Sequence, residues 1–354
     1  MEFGLSEEQI LLQDSITGYL DEASTLDKVR EYAGSQGADP WPGLVALGVP
    51  GVLVSEAHGG LSMTALDAAI EAEALGAHTT PAPFLGSAVM GPVALETAGV
   101  NPGDILAGLA SGTKRIGIAV GETVAARQGA GVVCRDGRLT GTALYVLDHG
   151  ADAYLVADRV KGLYLVAAGA EGLDSRDLTT IDRTRRTGEL TFDGVAAERV
   201  SDDPAVLQRT LDHGRVMLAA DTLGAAQNML DQAVAYAKER EQFNRPIGSF
   251  QAVKHLCAEM AAHLEPCRAL VWYAAHALDE LPDEATLYAC HAKAHLAEVG
   301  KFVARTATEV HGGMGFTDLL GLHYWFKRIG FNRQVLGAPE LVREEAARIQ
   351  NLVA

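Results

Sequence analysis

Long apolar runs are missing from this chain. None approaches the ~20 residues needed to cross a bilayer, so a membrane-spanning protein is not expected. Cysteine is scarce, and the four thiols (Cys134, Cys257, Cys267 and Cys290) show no C-x-x-C spacing. A disulfide framework or thiolate metal site is therefore not indicated; three of the four fall in helix-like sequence, and reduced, buried thiols are expected. Positive charge is also short. Lys and Arg number 29 against 46 Asp and Glu, a net charge of −17 with a pI near 5.0, which argues against a nucleic-acid partner. The acidic start Met1-Glu-Phe-Gly-Leu-Ser-Glu-Glu8 lacks a basic-plus-apolar leader, so a cytoplasmic location is expected. What the chain does have is length: 354 residues can bury a large core in two or three domains.

The texture changes twice along the sequence. Residues 1–110 read as a helical domain, opened by the capping box Ser6-Glu-Glu-Gln9 and punctuated by Pro40, Pro42, Gly43, Gly48, Pro50 and Gly51. Leu66 to Leu75 predicts another helix, stopped by Thr79-Thr-Pro-Ala-Pro83. Residues 111–204 carry short β-rich runs at 116–120, 131–134, 139–142, 154–157 and 163–167, with Gly-bearing turns and no helix between them. That pattern predicts a small antiparallel sheet or barrel whose last strand is Glu189–Val195. Residues 205–354 return to helix, with three long segments (205–241, 249–281 and 283–310) joined by short links, as in a four-helix-bundle-like domain. The fold class is α+β, multidomain.

Helix-compatible sequence leads into Lys238-Glu-Arg-Glu-Gln-Phe-Asn-Arg-Pro-Ile-Gly-Ser-Phe-Gln251 and resumes after it, with Pro246 and Gly248 as the breaking residues. Such a break can hold Arg240 and Phe243 on a rigid corner. A guanidinium takes a pyrophosphate bidentately and a ring covers an apolar portion, so the corner suits a dinucleotide. The same residues also suit an ordinary interhelical turn with solvated charges. His311 stands in the Gly-rich turn Val310-His-Gly-Gly-Met-Gly-Phe316, where a positional hydrogen bond is favoured over acid–base work. His291 and His295 have helical i, i+4 spacing but no third ligand at a recognised spacing, so no metal is expected.

The order of domains and these motifs resemble the acyl-CoA dehydrogenase family of flavoenzymes over essentially the whole chain. Arg240-Glu-Gln-Phe-Asn-Arg-Pro-Ile-Gly248 with Gln251 is similar to the family's R-x-x-F-G-x-x-I-x-x-x-Q signature, and Val310–Phe316 to its I-H-G-G-x-G-F turn. Ser55-Glu-Ala-His-Gly-Gly60 and Leu139-Thr-Gly-Thr…Gly150-Ala-Asp-Ala-Tyr-Leu-Val156 are weaker matches to its P-E-x-Y-G-G loop and strand pair. The resemblance implies FAD as cofactor, an acyl-CoA thioester as substrate and an electron-transfer protein as acceptor. It implies that Arg240 contacts the FAD pyrophosphate, Phe243 packs on the cofactor and Gln251 reaches the adenosine half. Gly312, Gly313 and Gly315 would let the backbone approach the diphosphate closely, with His311 counted among the cofactor-binding residues of the same turn. In the family this clamp acts across a subunit interface.

The resemblance stops at the chemistry. Family members remove the α-proton with a glutamate held at one of two places. The first is a Y-E-G-T loop, which here reads Val335-Leu-Gly-Ala338, so Leu336 takes the glutamate position and Ala338 the threonine position. The second precedes an arginine early in the C-terminal bundle, and here reads Gly214-Arg215: Arg215 survives as a substrate-side residue, and the carboxylate does not. The T-E-P-x-A-G-S-D segment becomes Val120-Gly-Glu-Thr-Val-Ala-Ala126, keeping Glu122, and the aromatic-x-threonine contact becomes Tyr145-Val-Leu147. Three readings follow. The chain is a self-sufficient dehydrogenase with a displaced base (Glu340, or Asp212 and His213), a subunit of a heteromer whose partner supplies the base, or a flavin or binding protein of other function. Selective loss of both base positions beside a retained clamp favours the second, which is similar to the base-lacking subunits of actinobacterial heteromeric acyl-CoA dehydrogenases.

Overall fold

Pro, Gly and capping residues set the helix boundaries of the N-terminal third. A computed structural model describes residues 4–353, so Met1–Phe3 of the acidic start lie outside it. Helix α1 (Glu7–Ala23) begins with the full reciprocal capping box of Ser6 and Gln9. Helices α2 (Leu26–Ala33), α3 (Trp41–Ala46) and α4 (Ala65–Ala77) follow, α4 capped by Thr64 and Asp67 in the same reciprocal way. A buried π-turn, Leu85–Met90, leads into α5 (Gly91–Ala98), and α6 (Ile105–Ala110) completes the segment.

An eight-stranded sheet comes next. Its strands are β1 (Ile116–Ala119), β2 (Gly131–Arg135), β3 (Arg138–Leu147), β4 (Ala153–Ala157), β5 (Leu163–Ala167), β6 (Leu173–Leu178), β7 (Thr187–Ala196) and β8 (Glu198–Ser201). Their order is β6-β7-β3-β1-β4-β5-β8, with β2 also on β3, and the short helix α7 (Gly121–Val124) lies between β1 and β2. All pairs are antiparallel except β1 with β4; the excursion through α7, β2 and β3 lets the chain return beside β1 in the same direction. The run at 189–195 is not the last strand, because β8 follows it and pairs with β5.

The C-terminal helices are α8 (Pro204–Glu239), α9 (Gln251–Glu280), α10 (Pro282–His311), α11 (Leu322–Gln334) and α12 (Pro339–Ile349). A two-stranded hairpin, β9 (Glu241–Gln242) with β10 (Arg245–Pro246), separates α8 from α9. Asp203 caps α8 and Pro204 occupies its first turn. Helix α8 is buried on most sides over its first two-thirds, because α4, α9, α10 and α11 all pack on it. One apolar core runs through the helices of both ends of the chain, and a second fills the sheet. All four thiols are free; Cys267 and Cys290 are buried, whereas Cys134 and Cys257 are only half-buried, which corrects the expectation for those two.

Candidate cofactor site

The residues singled out by the sequence gather at two places on α8. At its C-terminal end, Arg240 caps the helix, its backbone N–H donating to Tyr236 O at 2.8 Å. The hairpin then turns through Phe243 and Asn244, both left-handed (φ 55° and 59°). Two successive left-handed residues fit the twist of a two-residue hairpin. The helix is therefore broken by the hairpin, earlier than Pro246 and Gly248, and the Ile247 N–H closes the loop on Arg240 O at 2.8 Å. Gln251 opens α9 instead of continuing α8.

This corner displays its side chains. Phe243 is 88% exposed despite its strained backbone. Its ring meets Phe250 edge-on at 6.0 Å, and the Arg245 guanidinium lies 3.9 Å from the Phe250 ring centre. Arg240 is exposed and has no acidic partner among the described residues. Beside the corner, α10 ends at Gly312 with φ 58° and ψ −138°, a conformation reserved for glycine. A Cβ on Gly312 or Gly313 would meet no atom within 4 Å, so the turn offers an open backbone face, while Gly315 packs against Thr308. His311 does not share that face. It is 4% exposed, donates from Nδ1 to Ala307 O at 2.7 Å, and packs its ring 4.6 Å from Tyr236. Burial lowers its pKa. His311 thus braces the end of α10 against Tyr236 of α8, with Nδ1 committed to Ala307 O.

The second place is a cavity of about 490 Å³ between the sheet, α7, α11 and the loop to α12. Ile118, Val120, Leu147, Phe331, Leu336 and Leu341 make most of its wall apolar. Its polar groups are Arg127, Tyr145, Thr180 and Gln334. Tyr145 sits in a bulge of β3 with φ 53°, under the Arg127 guanidinium at 5.2 Å. Glu122 lies outside the lining: it accepts from Leu144 N at 3.2 Å and pairs with Arg127 at 3.4 Å, satisfying a donor freed by the bulge. Arg127, Thr180 and Gln334 carry no signal in the sequence, since they come from three segments with no shared local pattern.

Among the described residues, no carboxylate and no imidazole lines this cavity. Leu336 is buried with φ 54°, and its Cδ1 would stand 2.5 Å from a Cβ on Gly214, with Met90 Sδ at 2.7 Å. The two positions that the sequence resemblance matched to the family's base therefore converge on one point, filled here by hydrocarbon and thioether. Arg215 lies behind it. Its Nε donates to Leu336 O at 3.1 Å, and its other nitrogens grip Glu345 bidentately at 3.0 and 2.7 Å. That geometry makes Arg215 a support for the loop, with its donors engaged by Leu336 O and Glu345. Ala338 caps α12 without a side-chain bond. Lys293, fully buried with its pKa pushed down to about 7 by desolvation, donates to the carbonyls of Asn332 and Arg333 and anchors the end of α11.

The displaced candidates stand elsewhere. Glu340 has a 70% exposed side chain near Arg333 at 3.4 Å, and a bond from its own backbone N–H holds its carboxyl below the usual range. Asp212 is buried and accepts from Thr286 at 2.7 Å. His213 donates from Nδ1 to Arg209 O at 2.8 Å, and burial lowers its pKa to about 4. None of the three lines the cavity.

Comparison with known proteins agrees with this architecture. Family models for the acyl-CoA dehydrogenase N-terminal and C-terminal domains match residues 6–100 and 205–350. Acyl-CoA dehydrogenase IpdE2 of Mycolicibacterium smegmatis is 29% identical over 356 residues, covering 98% of this chain and 99% of that protein. The solved Tcur3481–Tcur3483 steroid ACAD superposes with a TM-score of 0.89 at 30% identity over 98% of both chains. The ChsE4–ChsE5 complex from Mycobacterium tuberculosis gives 0.89 at 27% identity over 100% of both. With matched domains at both ends and relatives spanning its length, the chain belongs to the acyl-CoA dehydrogenase family.

Proposed function

We propose that this chain is the base-lacking subunit of a heteromeric acyl-CoA dehydrogenase, in which it helps to hold FAD and a homologous partner supplies the α-proton acceptor. The observation that carries this reading is a cavity at the family's reactive position with no carboxylate or imidazole in its wall. The corner points the same way. Its unpaired guanidinium, exposed ring and open glycine backbone fit the pyrophosphate and adenosine portions of FAD. Along α8, 25 positions separate Arg215, behind the cavity, from Arg240, about 37 Å at the rise of a helix. That exceeds the span of one FAD, so corner and cavity belong to different flavins and the corner reaches into a neighbouring subunit. When bound, FAD accepts the β-hydrogen of the acyl-CoA as hydride. This chain's share is to orient the cofactor through Arg240, Phe243 and Gln251 and to keep water out of the packed Leu336–Gly214–Met90 region. Relatives named as paired assemblies, and one named a steroid ACAD, support a bulky acyl-CoA thioester as substrate; the acceptor proposed with it is an electron-transfer protein.

Co-expression tests the reading. The chain alone should retain little FAD and form no enoyl-CoA, and a homologous partner should restore both. Full FAD loading and turnover by the chain alone would overturn it. Within the assembled enzyme, Arg240→Ala removes a charge-assisted bond of about 1.5–3 kcal/mol. FAD retention should weaken roughly 10- to 150-fold, read by equilibrium dialysis, with the apoprotein melting point unchanged. Glu340→Gln should leave turnover within about twofold. A loss of about 10²–10⁴-fold would instead identify Glu340 as the displaced base.

A further inference from the structure

We propose a second chemical site, independent of the cavity and the corner: Ser175 is a nucleophile activated by His149 and Asp177, able to take an acyl group from an activated ester or thioester. Ser175 and Asp177 lie opposite Leu190 and Gly188 of β7. Two residues apart on β6, they project from the same face of the sheet at its free edge. His149, in the loop from β3 to β4, folds back over that face. Gly188 admits it: a Cβ there would stand 2.1 Å from His149 Cδ2. The ring is 6% exposed and stacks near Tyr154 at 6.0 Å, whereas Ser175 is exposed to solvent.

The hydrogen bonds fix the roles. His149 Nδ1 lies 2.8 Å from Asp177 Oδ1, and Nε2 lies 2.7 Å from Ser175 Oγ. An ionised carboxylate can only accept, so Nδ1 carries the proton, and in the neutral ring the Nε2 lone pair faces the Ser175 hydroxyl. The bond to His149 holds the Asp177 carboxyl below its usual range, and Arg186 stands 3.5 Å from it. A nucleophile, a base in hydrogen-bond reach and a group orienting the base is the arrangement that activates serine on unrelated folds. A clasp between loop and strand would need only the His149–Asp177 bond; the exposed hydroxyl on the remaining nitrogen is what makes chemistry accessible.

In the step proposed, Ser175 Oγ attacks the carbonyl carbon as its proton passes to His149 Nε2. The carbon–sulfur bond of a thioester (or carbon–oxygen bond of an ester) breaks, and the leaving group departs with that proton as a thiol or alcohol. Water, deprotonated by the same nitrogen, then releases the carboxylic acid and restores the serine.

A fluorophosphonate probe on the full-length chain, with adducts located by peptide mass spectrometry, tests this. Ser175 should label ahead of other exposed serines, and Ser175→Ala should abolish that adduct. His149→Gln should slow labelling by about 10²–10⁴-fold, the usual worth of a general base. Asp177→Asn, at a 71% exposed side chain that the fold does not need buried, removes the tautomer constraint and should slow labelling at least about tenfold, which decides the matter should His149→Gln fail to fold. Labelling of Ser175 no faster than other serines, or unchanged in Asp177→Asn, overturns the proposal and leaves a structural clasp.

Discussion

Asp221→Ala should lower stability by about 3–5 kcal/mol, the cost of stranding a buried charge. Asp221 Oδ2 accepts from Arg185 at 2.7 Å, and Oδ1 accepts from Asn332 at 2.6 Å and stands 3.2 Å from Arg328 Nε. Arg328, 1% exposed, also meets Asp182 at 3.4 Å, Thr184 at 2.9 Å and Thr80 O at 2.6 Å. One cluster thus joins the N-terminal helices, the segment before β7, α8 and α11. Removing Asp221 leaves two buried guanidinium groups with one close carboxylate. In urea, the midpoint should fall with an unchanged slope, and adding Arg185→Met should recover part of the loss, since the charge it strands is then gone. A fall below about 1 kcal/mol would mean that water enters the cluster and the burial argument fails.

Gly224→Ala should cost about 3 kcal/mol or more, at the upper end of overpacking changes. A Cβ on Gly224 would stand 1.9 Å from Glu73 O and 2.9 Å from Ala77 N, and one on Gly76 would stand 2.0 Å from Asp221 O. Each helix therefore lays a glycine against the other's backbone where α4 crosses α8. Backbone atoms cannot swing aside as a side chain can, so α4 would have to lift off the helix that carries Asp221. The gain in helix propensity, about 1 kcal/mol, opposes this and loses. Gly18→Ala on exposed α1, where a Cβ meets nothing within 4 Å, is the control and should raise stability by about 0.5–1 kcal/mol. Equal effects at Gly18 and Gly224 would refute the close crossing.

The three long helices were legible because their signals are local. Asp203 and Pro204 announce α8, and no further proline interrupts it before Arg240; even Pro266 inside α9 is tolerated, at an exposed position. The corner was legible as a place and misread as a shape. Phe243-Asn244 lacks the Asn-Gly or Asp-Gly chemistry that marks a two-residue hairpin, so only the tertiary structure reveals the left-handed pair. Leu336 and Gly214 stood out in the sequence as apolar residues at the expected base positions, but their meeting at one point with Met90 did not, because 122 positions separate the two and packing alone joins them. The same holds for Arg328 with Asp182 and for His149 with Ser175: side chains far apart in sequence share no period that a window can detect.

Helix α8 has one more consequence, through its length. If its two ends serve different flavins, a cofactor is the property of an interface, and ownership by a single chain has no meaning. An allele damaged at Arg240 and an allele damaged at the cavity would then injure different interfaces of one assembly. Co-expressed, they should restore one another at a fraction of the sites, as alleles of separate genes do, although both lie on one chain.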